Sequence, residues 1–280
     1  MLELTKPRIT QLVLLTAAAG FSLGSRTGMH LALLGQTLVG VALVAAGTNA
    51  LNQLRERDVD ARMRRTRGRP LPSGRLTPHA ATGFALLISL VGLAYLGVAV
   101  NRLTAGLAAL TLTSYVLLYT PLKRKTALNT LVGAVPGALP IVGGWTAAGG
   151  RLDRAVLGLF GVLFLWQLPH VLALAWIYRE DYRRGGLRMV SVTDPDGRRT
   201  GRLALIAAVM LLPVSMVPTL LGVSGWAAGA GALLLSLGYA TAALSLACAP
   251  SAARARGLFL VSIAYLPLLL ALLVLDKIAV

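Results

Sequence analysis

Three oxygen-bearing side chains, Asn52, Glu56 and Asp60, stand four residues apart at the start of the charged stretch "NQLRERDVDARMRRTRGRPLPSG", residues 52–74. If the apolar segment before them continues as a helix, each step of four residues turns about 40° past a full circle and rises about 6 Å. The three side chains would then fan along one face over about 12 Å, and Asp58 would point away. Because Mg²⁺ takes oxygen ligands at about 2.0–2.1 Å, two ions bridged by a diphosphate could span that distance, whereas one ion could not.

The arginines that follow help to decide between two interpretations of these acids, simple ion pairing and a metal site. The acids could simply pair with arginines at a solvated helix end, and the spacing alone leaves this alternative open. The next residues, "MRRTRGRPLPSG", add guanidinium groups such as Arg65 and Arg69, and arginine forks match phosphate oxygens. Pro70 and Pro72 would stiffen the loop beyond the helix. Acids for a metal beside arginines for phosphate favour a site for a magnesium-bound diphosphate.

Two more charged stretches are expected on the same side of the molecule. "YREDYRRGGLRM" carries Glu180 and Asp181 among arginines, and "LKRKT" carries Lys123 and Arg124. Each stretch alone is typical of an ordinary surface loop. Together with the first stretch they favour a polar cavity for an anionic, metal-bound substrate.

Two polar side chains lie within segments that are otherwise apolar. Asn129 follows Lys125 by about one helical turn, and His170 lies in "WQLPHVLALAW". Polar groups at membrane depth are candidates for a functional site. For His170 the alternative is a packed, hydrogen-bonded histidine with no role in binding.

The composition indicates a membrane protein that positions these groups with helices. Only 13% of the 280 residues are charged, against about a quarter in soluble domains, and the mean hydropathy is +0.73. The apolar segments repeatedly exceed about 18 residues, the length that crosses the hydrocarbon core. We predict an all-α polytopic protein with one transmembrane domain, residues 1–280, and nine spans: 9–27, 31–53, 79–100, 103–121, 126–148, 154–178, 202–222, 225–248 and 257–276.

The basic residues divide unequally between the two sides of such a bundle. Of the 27 lysines and arginines, 22 fall at the N-terminus and in the loops after spans two, four, six and eight. The positive-inside rule places these loops in the cytoplasm and the C-terminus outside. We expect an integral protein of the bacterial inner membrane. The rule does not explain the acids, of which seven out of ten lie in the loops after spans two and six.

Several other classes of protein are disfavoured. The net charge of +17 could suggest nucleic-acid binding, but the basic residues lie in short loops between spans, where the positive-inside rule accounts for them. Cys248 is the only cysteine, which excludes an intrachain disulfide or a cysteine-rich metal cluster. The first apolar segment lacks a small-residue cleavage site and is interpreted as a span.

With these residues in view, the first charged stretch resembles a known signature. "NQLRERDVDARMRRTRGRPLPSG" is similar to the N-x-x-x-D-x-x-x-D motif and the RT-x-x-RPL tail of the UbiA-type intramembrane prenyltransferases. Three further stretches resemble the branch of that family that farnesylates haem: "LTKPR", "YTPLKRKTALNTLVGAVPGALPIVGGW" and "WQLPHVLALAWIYREDY". The resemblance extends from residue 4 to about residue 190.

The resemblance implies a nine-helix bundle whose central cavity opens laterally to the lipid bilayer. Its substrates would be farnesyl diphosphate and haem B, its cofactor Mg²⁺ and its product haem O. The resemblance also implies haem A synthase or a terminal-oxidase assembly protein as a partner. No residue in the sequence indicates this partner by itself. By motif match, the metal positions are Asn52, Glu56, Asp60 and Asp181. The diphosphate positions are Arg65, Arg69, Lys123, Arg124 and Tyr182, and His170 and Asn129 are candidates to contact haem.

Two departures from the family pattern leave alternatives open. Glu56 stands where many members have Asp, which changes reach but keeps the carboxylate. Gly185 follows Asp181 by four residues where a second acid would be expected, so Glu180 or Asp194 is a candidate to complete the second metal position. Two rival functions are prenylation of a quinone-type or chlorophyll-like acceptor and transport of an ion or anion. Transporters commonly place ionisable groups near the membrane midplane, whereas these acids cluster at one end.

Overall fold

The computed structural model describes residues 1–25 and 28–278 and is built from helices, with no β-strand in those two ranges. A short 3₁₀ turn at Leu2–Thr5 precedes α1. The helices are α1 Pro7–Gly24, α2 Leu31–Arg55, α3 Arg57–Arg62, α4 Pro78–Ala99, α5 Arg102–Thr113, α6 Thr120–Leu122, α7 Asn129–Ala147, α8 Arg154–Ile177, α9 Arg179–Arg184, α10 Arg198–Leu220, α11 Trp226–Cys248 and α12 Ala252–Leu275.

Each of the nine predicted spans corresponds to one long helix or helical run within the described residues. Eight of these helices are long and apolar enough to cross a membrane, and residues 102–122 form one such run across α5, α6 and the π-helix Ser114–Tyr119 between them. The ninth, α1, begins with the polar residues Arg8, Thr10 and Gln11 and is not among the eight. The end of the first predicted span, residues 26 and 27, lies outside the described residues.

Two short helices extend the long helices at the predicted cytoplasmic end. Helix α3 follows α2 after a single non-helical residue, and α9 follows α8 in the same way. The loops that carry charge are therefore ordered by helices that continue from the membrane bundle. This arrangement fixes the direction in which the acids of both loops point.

The π-helix before α6 has a local cause. Pro121 has no N–H group to donate, and its ring would clash with the carbonyl group four residues earlier in a regular α-helix. The wider π turn removes this clash, and the Thr120 hydroxyl donates to the Tyr115 carbonyl at 2.8 Å. Thr120 thereby lies against Asn52 of α2, which donates to its hydroxyl at 3.1 Å, and the Tyr119 ring packs against Gly133 of α7.

Helices α1 and α7 pack with their backbones in close contact. A Cβ atom added at Gly144 would collide with the carbonyl oxygen of Ala17, and one added at Gly20 with that of Ile141. Small residues allow this approach in membranes, where association depends on close packing. The contact holds the N-terminal end of the chain against the core of the bundle.

We expect Gly144→Ala to destabilise the protein, since the backbone of α1 cannot move aside as a flexible side chain would. Overpacking of this kind typically costs about 1–3 kcal/mol. The adjacent Gly143→Ala is the matched control, because a Cβ there meets open space and the effect on helix propensity is the same. Thermal unfolding in detergent measures both variants, and equal midpoints would contradict the close contact.

Candidate functional site

Asn52, Glu56 and Asp60 lie together at the junction of α2 and α3. Helix α2 ends at Arg55, and Glu56 has a non-helical backbone with φ −99° and ψ 6°. The helical hydrogen bonds nevertheless continue, since Glu56 N donates to Asn52 O at 3.0 Å and Asp60 N donates to Glu56 O at 2.7 Å. The three side chains are only 1%, 7% and 1% exposed. Asp58, as the spacing predicts, points outward into solvent.

Each of these three side chains is paired with a cation from a different part of the chain. Lys6 Nζ donates to Asn52 Oδ1 at 2.8 Å, and Lys123 Nζ lies 2.9 Å from Glu56 Oε1. Arg69 Nη1 lies 2.6 Å from Asp60 Oδ2. Charges with so little access to water require partners of this kind. The cluster holds three cations against two carboxylates, so it carries a net positive charge when all are ionised.

The pKa values of the cluster reflect this mutual dependence. Burial would raise the pKa of Glu56, but the Lys123 ammonium and then Lys6 and Asn52 lower it overall. Burial would lower the pKa of Lys123, yet Tyr119 and Glu56 hold it well above its usual value. Burial, reinforced by the charge of Arg69, lowers the pKa of Lys6 to about 7. Glu56 and Lys123 therefore stay charged at neutral pH, and Lys6 lies near its titration midpoint.

Lys6 is a site residue that the sequence analysis missed. It is the one non-glycine residue with positive φ among those described, at φ 47° and ψ 67°, a backbone conformation that costs free energy for a residue with a Cβ. Side chains of α2 hold the segment in place. Gln53 Nε2 donates to Glu3 O and Leu4 O at 3.1 and 3.0 Å, and Asn49 Nδ2 donates to Thr5 O at 3.2 Å. These bonds direct the Lys6 ammonium onto Asn52.

The π-helix and α6 supply the other wall of the site. Asn52 Nδ2 donates to Thr120 Oγ1 at 3.1 Å, which fixes the amide so that its oxygen faces Lys6. The Lys123 ammonium lies 4.5 Å from the centre of the Tyr119 ring, a cation–π distance. Arg124, which the resemblance grouped with Lys123, points the other way and binds Asp58 Oδ1 at 2.7 Å.

The second charged loop reaches the first through Asp181. The two oxygens of Asp181 accept hydrogen bonds from the backbone N–H groups of Arg64 and Arg65, each at 3.2 Å. The Arg65 guanidinium lies 4.9 Å from the centre of the Tyr178 ring. Tyr182 is partly buried and packs against the hydrophobic cluster that includes Val59 of α3. The two loops thus form one surface, as the sequence predicts.

The two candidates to complete the second metal position do not face the buried cluster. Glu180 is exposed and pairs with Arg183 at 2.8 Å on its own helix. Asp194 accepts from both the backbone N–H and the hydroxyl of Thr200 at 2.7 Å, in the first turn of α10. Asp181 is accordingly the acid of the second loop that the structure places against the first.

Asn129 has a different environment from the one expected for a haem contact. It is fully buried, and its Nδ2 donates to Thr126 O at 2.6 Å and to Arg188 O at 3.0 Å. Arg188 N in turn donates to Lys123 O at 2.7 Å. Asn129 therefore braces the loop that carries Lys123 and does not line the neighbouring cavity.

An apolar cavity of about 340 Å³ lies directly beneath the charged cluster. Helices α1, α2, α5, α7 and α8 and the π-helix contribute its walls, which are mainly aliphatic. Asn49, Tyr115 and Tyr119 line the end of the cavity nearest the charged cluster, and Tyr119 also contacts Lys123. His170 lies further along the wall formed by α8. A volume above about 300 Å³ is in the range of small-molecule sites.

The buried cluster has the donor set that Mg²⁺ prefers, two carboxylates and an amide oxygen. Asp60 Oδ1 is buried and makes no hydrogen bond to any described residue, so it is available to a ligand. In the described part of the chain, no group of three or more His, Cys, Asp or Glu residues forms a ready cage for a metal ion. These side chains fit a metal ion that completes its shell with other oxygens.

A charged cluster at the end of an apolar, helix-walled cavity in a membrane bundle is suited to an amphiphile with an anionic head group. The UbiA prenyltransferase family profile matches residues 13–272. A protoheme IX farnesyltransferase of Solibacter usitatus is 46% identical, over 99% of this chain and 98% of its own length. The chain therefore belongs to the UbiA prenyltransferase family.

Solved structures share the fold at low sequence identity. A digeranylgeranylglyceryl phosphate synthase structure matches with a TM-score of 0.81 and 17% identity, over 98% of this chain and 96% of that one. A UbiA homologue from Archaeoglobus fulgidus, bound to DMAPP and Mg²⁺, matches with a TM-score of 0.74 and 17% identity, over 97% and 98% of the two chains. The predicted all-helical UbiA-like bundle is confirmed.

We expect Lys6→Gln to weaken binding of inorganic diphosphate in the presence of Mg²⁺ by roughly tenfold to a hundredfold. A hydrogen bond to a charged group contributes about 1.5–3 kcal/mol, and 1.4 kcal/mol corresponds to tenfold in affinity. Arg8→Gln is the control, since it removes an exposed cation two residues away. Calorimetric titration measures both, and an equal loss in the two variants would contradict a contact specific to Lys6.

Proposed function

We propose that the protein transfers the farnesyl group of farnesyl diphosphate to a vinyl group of haem B, forming haem O and releasing diphosphate. The observation that carries the proposal is the buried cluster of acids and cations at the mouth of an apolar cavity. One substrate has a diphosphate head and a prenyl tail, and the other is a largely apolar macrocycle. The farnesyltransferase named among the relatives supports haem B as the acceptor.

In this proposal Asn52, Glu56 and Asp60 hold Mg²⁺, together with Asp181 from the second loop. Mg²⁺ supplies charge stabilisation to the leaving diphosphate when it is bound. A UbiA homologue of the same fold was solved with DMAPP and Mg²⁺, which supports Mg²⁺ as the ion. The orphaned oxygen of Asp60 and the small exposure of all three side chains support their role as ligands.

The cations of the cluster then bind the diphosphate itself. Lys6, Lys123 and Arg69 are within reach because each already contacts a proposed metal ligand. Arg65 and Tyr182 extend the diphosphate site from the rim of the second loop. Arg124 would contact the diphosphate only if its ion pair with Asp58 were broken. Preorganised cations stabilise charge that develops in a transition state without reorganising.

With the diphosphate in the charged cluster and the farnesyl chain in the apolar cavity, the bond between them lies where the two parts of the site meet. The allylic C–O bond breaks, the electron pair leaves with the diphosphate, and the aliphatic walls keep water from the farnesyl cation. The vinyl carbon of haem attacks the cation, and a water molecule then adds to the other vinyl carbon and loses a proton. The balance is haem B, farnesyl diphosphate and water in, and haem O, diphosphate and one proton out.

The protein is integral to a membrane, and we propose that the charged loops lie in the cytoplasm and the C-terminus outside. The cavity would open laterally so that prenyl tail and porphyrin enter from the lipid bilayer. Because haem O is apolar, a haem A synthase or an oxidase-assembly protein beside the cavity would receive it. Co-purification of such a partner with the tagged full-length protein tests this last point.

The decisive assay combines purified protein in lipid nanodiscs with haem B and farnesyl diphosphate, with and without Mg²⁺. We expect a magnesium-dependent product with the mass of haem O. Glu56→Gln and Asp60→Asn should each lower turnover by about 10²–10³, since each removes a charge from the site that holds the metal. Asp58→Asn is the matched control, because Asp58 lies on the same turn but is exposed.

Full activity of both variants in a folded protein would refute the assignment of the acids. Prenylation of a quinone precursor in preference to haem, in a competition between the two acceptors, would replace haem as the substrate. Magnesium-coupled ion flux in proteoliposomes without any prenyl product would indicate a transporter.

We expect Mg²⁺ to bind together with diphosphate rather than alone. Lys123, Arg69 and the half-titrated Lys6 already offset the two carboxylates, so no net negative charge remains to attract a lone dication, whereas an anionic magnesium–diphosphate complex is attracted to the cations. Ligand binding raises the unfolding temperature according to concentration and affinity. Thermal unfolding should therefore shift with Mg²⁺ and inorganic diphosphate together, and much less with either alone. A full shift with Mg²⁺ alone would contradict this order.

A further inference from the structure

His170 is held rigidly in the wall of the apolar cavity, well away from the acids. Its ring stacks on Trp166 with centroids 5.3 Å apart and packs against Phe259 at 4.9 Å. Trp166 is itself fixed, since its Nε1 donates to Ser262 O at 2.9 Å. The histidine lies seven residues before the end of α8, about two helical turns below the charged loops.

The hydrogen bonds around Ser262 determine which nitrogen of His170 carries the proton. The Ser262 hydroxyl has one hydrogen, and it donates this hydrogen to Phe259 O at 2.5 Å. His170 Nδ1 lies 2.7 Å from the same hydroxyl oxygen. Because the hydroxyl hydrogen is already used, Nδ1 must be the donor of this bond. In the neutral ring, Nε2 then has a free lone pair.

Nε2 has no competing partner in the described residues, and His170 lines the cavity. The groups packed around the ring are uncharged: Trp166, Phe259, Ser262 and Gln167 of the cavity wall, none of them a carboxylate or an ammonium. Gln167 is occupied, because its Nε2 donates to Ala134 O and Leu163 O at 2.8 and 3.1 Å. A neutral imidazole with a free Nε2 therefore faces an apolar space.

We propose that His170 Nε2 is an axial ligand to the iron of the haem acceptor, an inference that rests on the proposed function. Metal-binding histidines use a neutral ring whose other N–H group is held by a hydrogen bond, and Ser262 provides that bond here. Haem iron is commonly held by a single histidine. Ligation at this depth places the porphyrin between the aliphatic walls and below the diphosphate, and it selects an iron porphyrin over acceptors without a metal.

The test is a titration of the full-length protein in detergent with ferric haem, followed by its absorption spectrum. The wild-type protein should give the Soret band of histidine-ligated haem. His170→Ala should lose this band and bind haem at least about tenfold more weakly, and added imidazole should restore the band by entering the vacated space. Ser262→Ala should weaken binding by about tenfold, as loss of a bond that orients a ligand does.

Three controls separate ligation from packing. The double variant His30→Ala/His79→Ala removes the other two histidines, both exposed, and should keep the wild-type spectrum. Metal-free protoporphyrin IX should bind wild type and His170→Ala equally, because it has no iron to ligate. Magnesium-dependent diphosphate binding should be unchanged in His170→Ala, which shows that the variant is folded.

An unchanged haem spectrum in folded His170→Ala would overturn the inference, even if the wild-type protein forms haem O. Equal losses for haem and for metal-free porphyrin would also overturn it, because they would indicate a packing role. Loss of the band together with recovery by imidazole would support the inference, even if no haem O formed and the proposed function failed.

Discussion

The arrangement of the site depends on one constraint: two carboxylates buried at the end of a membrane bundle require cations at hydrogen-bonding distance. Lys123 and Arg69 pair with the two carboxylates, Lys6 binds the neighbouring Asn52 oxygen, and the three cations are far apart in sequence. Each pairing therefore fixes a different segment against the junction of α2 and α3. Leaving either carboxylate unpaired would cost several kcal/mol, which holds the segments of Lys123 and Arg69 in place, and Lys6 joins them through its hydrogen bond to the Asn52 amide oxygen.

Several unusual local features are consequences of that requirement. The left-handed backbone at Lys6 and the π turn before Thr120 both depart from the most stable local geometry. The left-handed backbone directs the Lys6 ammonium at Asn52, and the π turn directs the Thr120 hydroxyl at it. Hydrogen bonds from side chains of α2 hold the segment around Lys6 in place. The unfavourable backbone conformations persist because the surrounding hydrogen bonds stabilise them. The same pairs make the site ready for an anion, since each cation can exchange its carboxylate or amide oxygen for a phosphate oxygen.

The fold and part of the site could be predicted from the sequence because they depend on local patterns. Apolar length located the long helices, and the spacing of four residues located the face shared by Asn52, Glu56 and Asp60. Lys6 was missed because its contact with Asn52 spans 46 residues and a single N-terminal lysine already has a topological explanation. Lys123 points to Glu56 and Arg124 points to Asp58, and these directions depend on how α6 ends. A run of consecutive basic residues in the sequence does not reveal them.

The division of charge between the two ends of the site follows from the chemistry proposed for it. The diphosphate end needs fixed cations, whereas a cation beside the apolar cavity would repel the farnesyl cation that forms there. A charged ligand for the acceptor would therefore oppose the reaction, but a neutral imidazole would not. The hydrogen bond from His170 Nδ1 to Ser262 keeps the proton away from the cavity, so His170 can hold an iron porphyrin without placing a charge next to the reacting carbon.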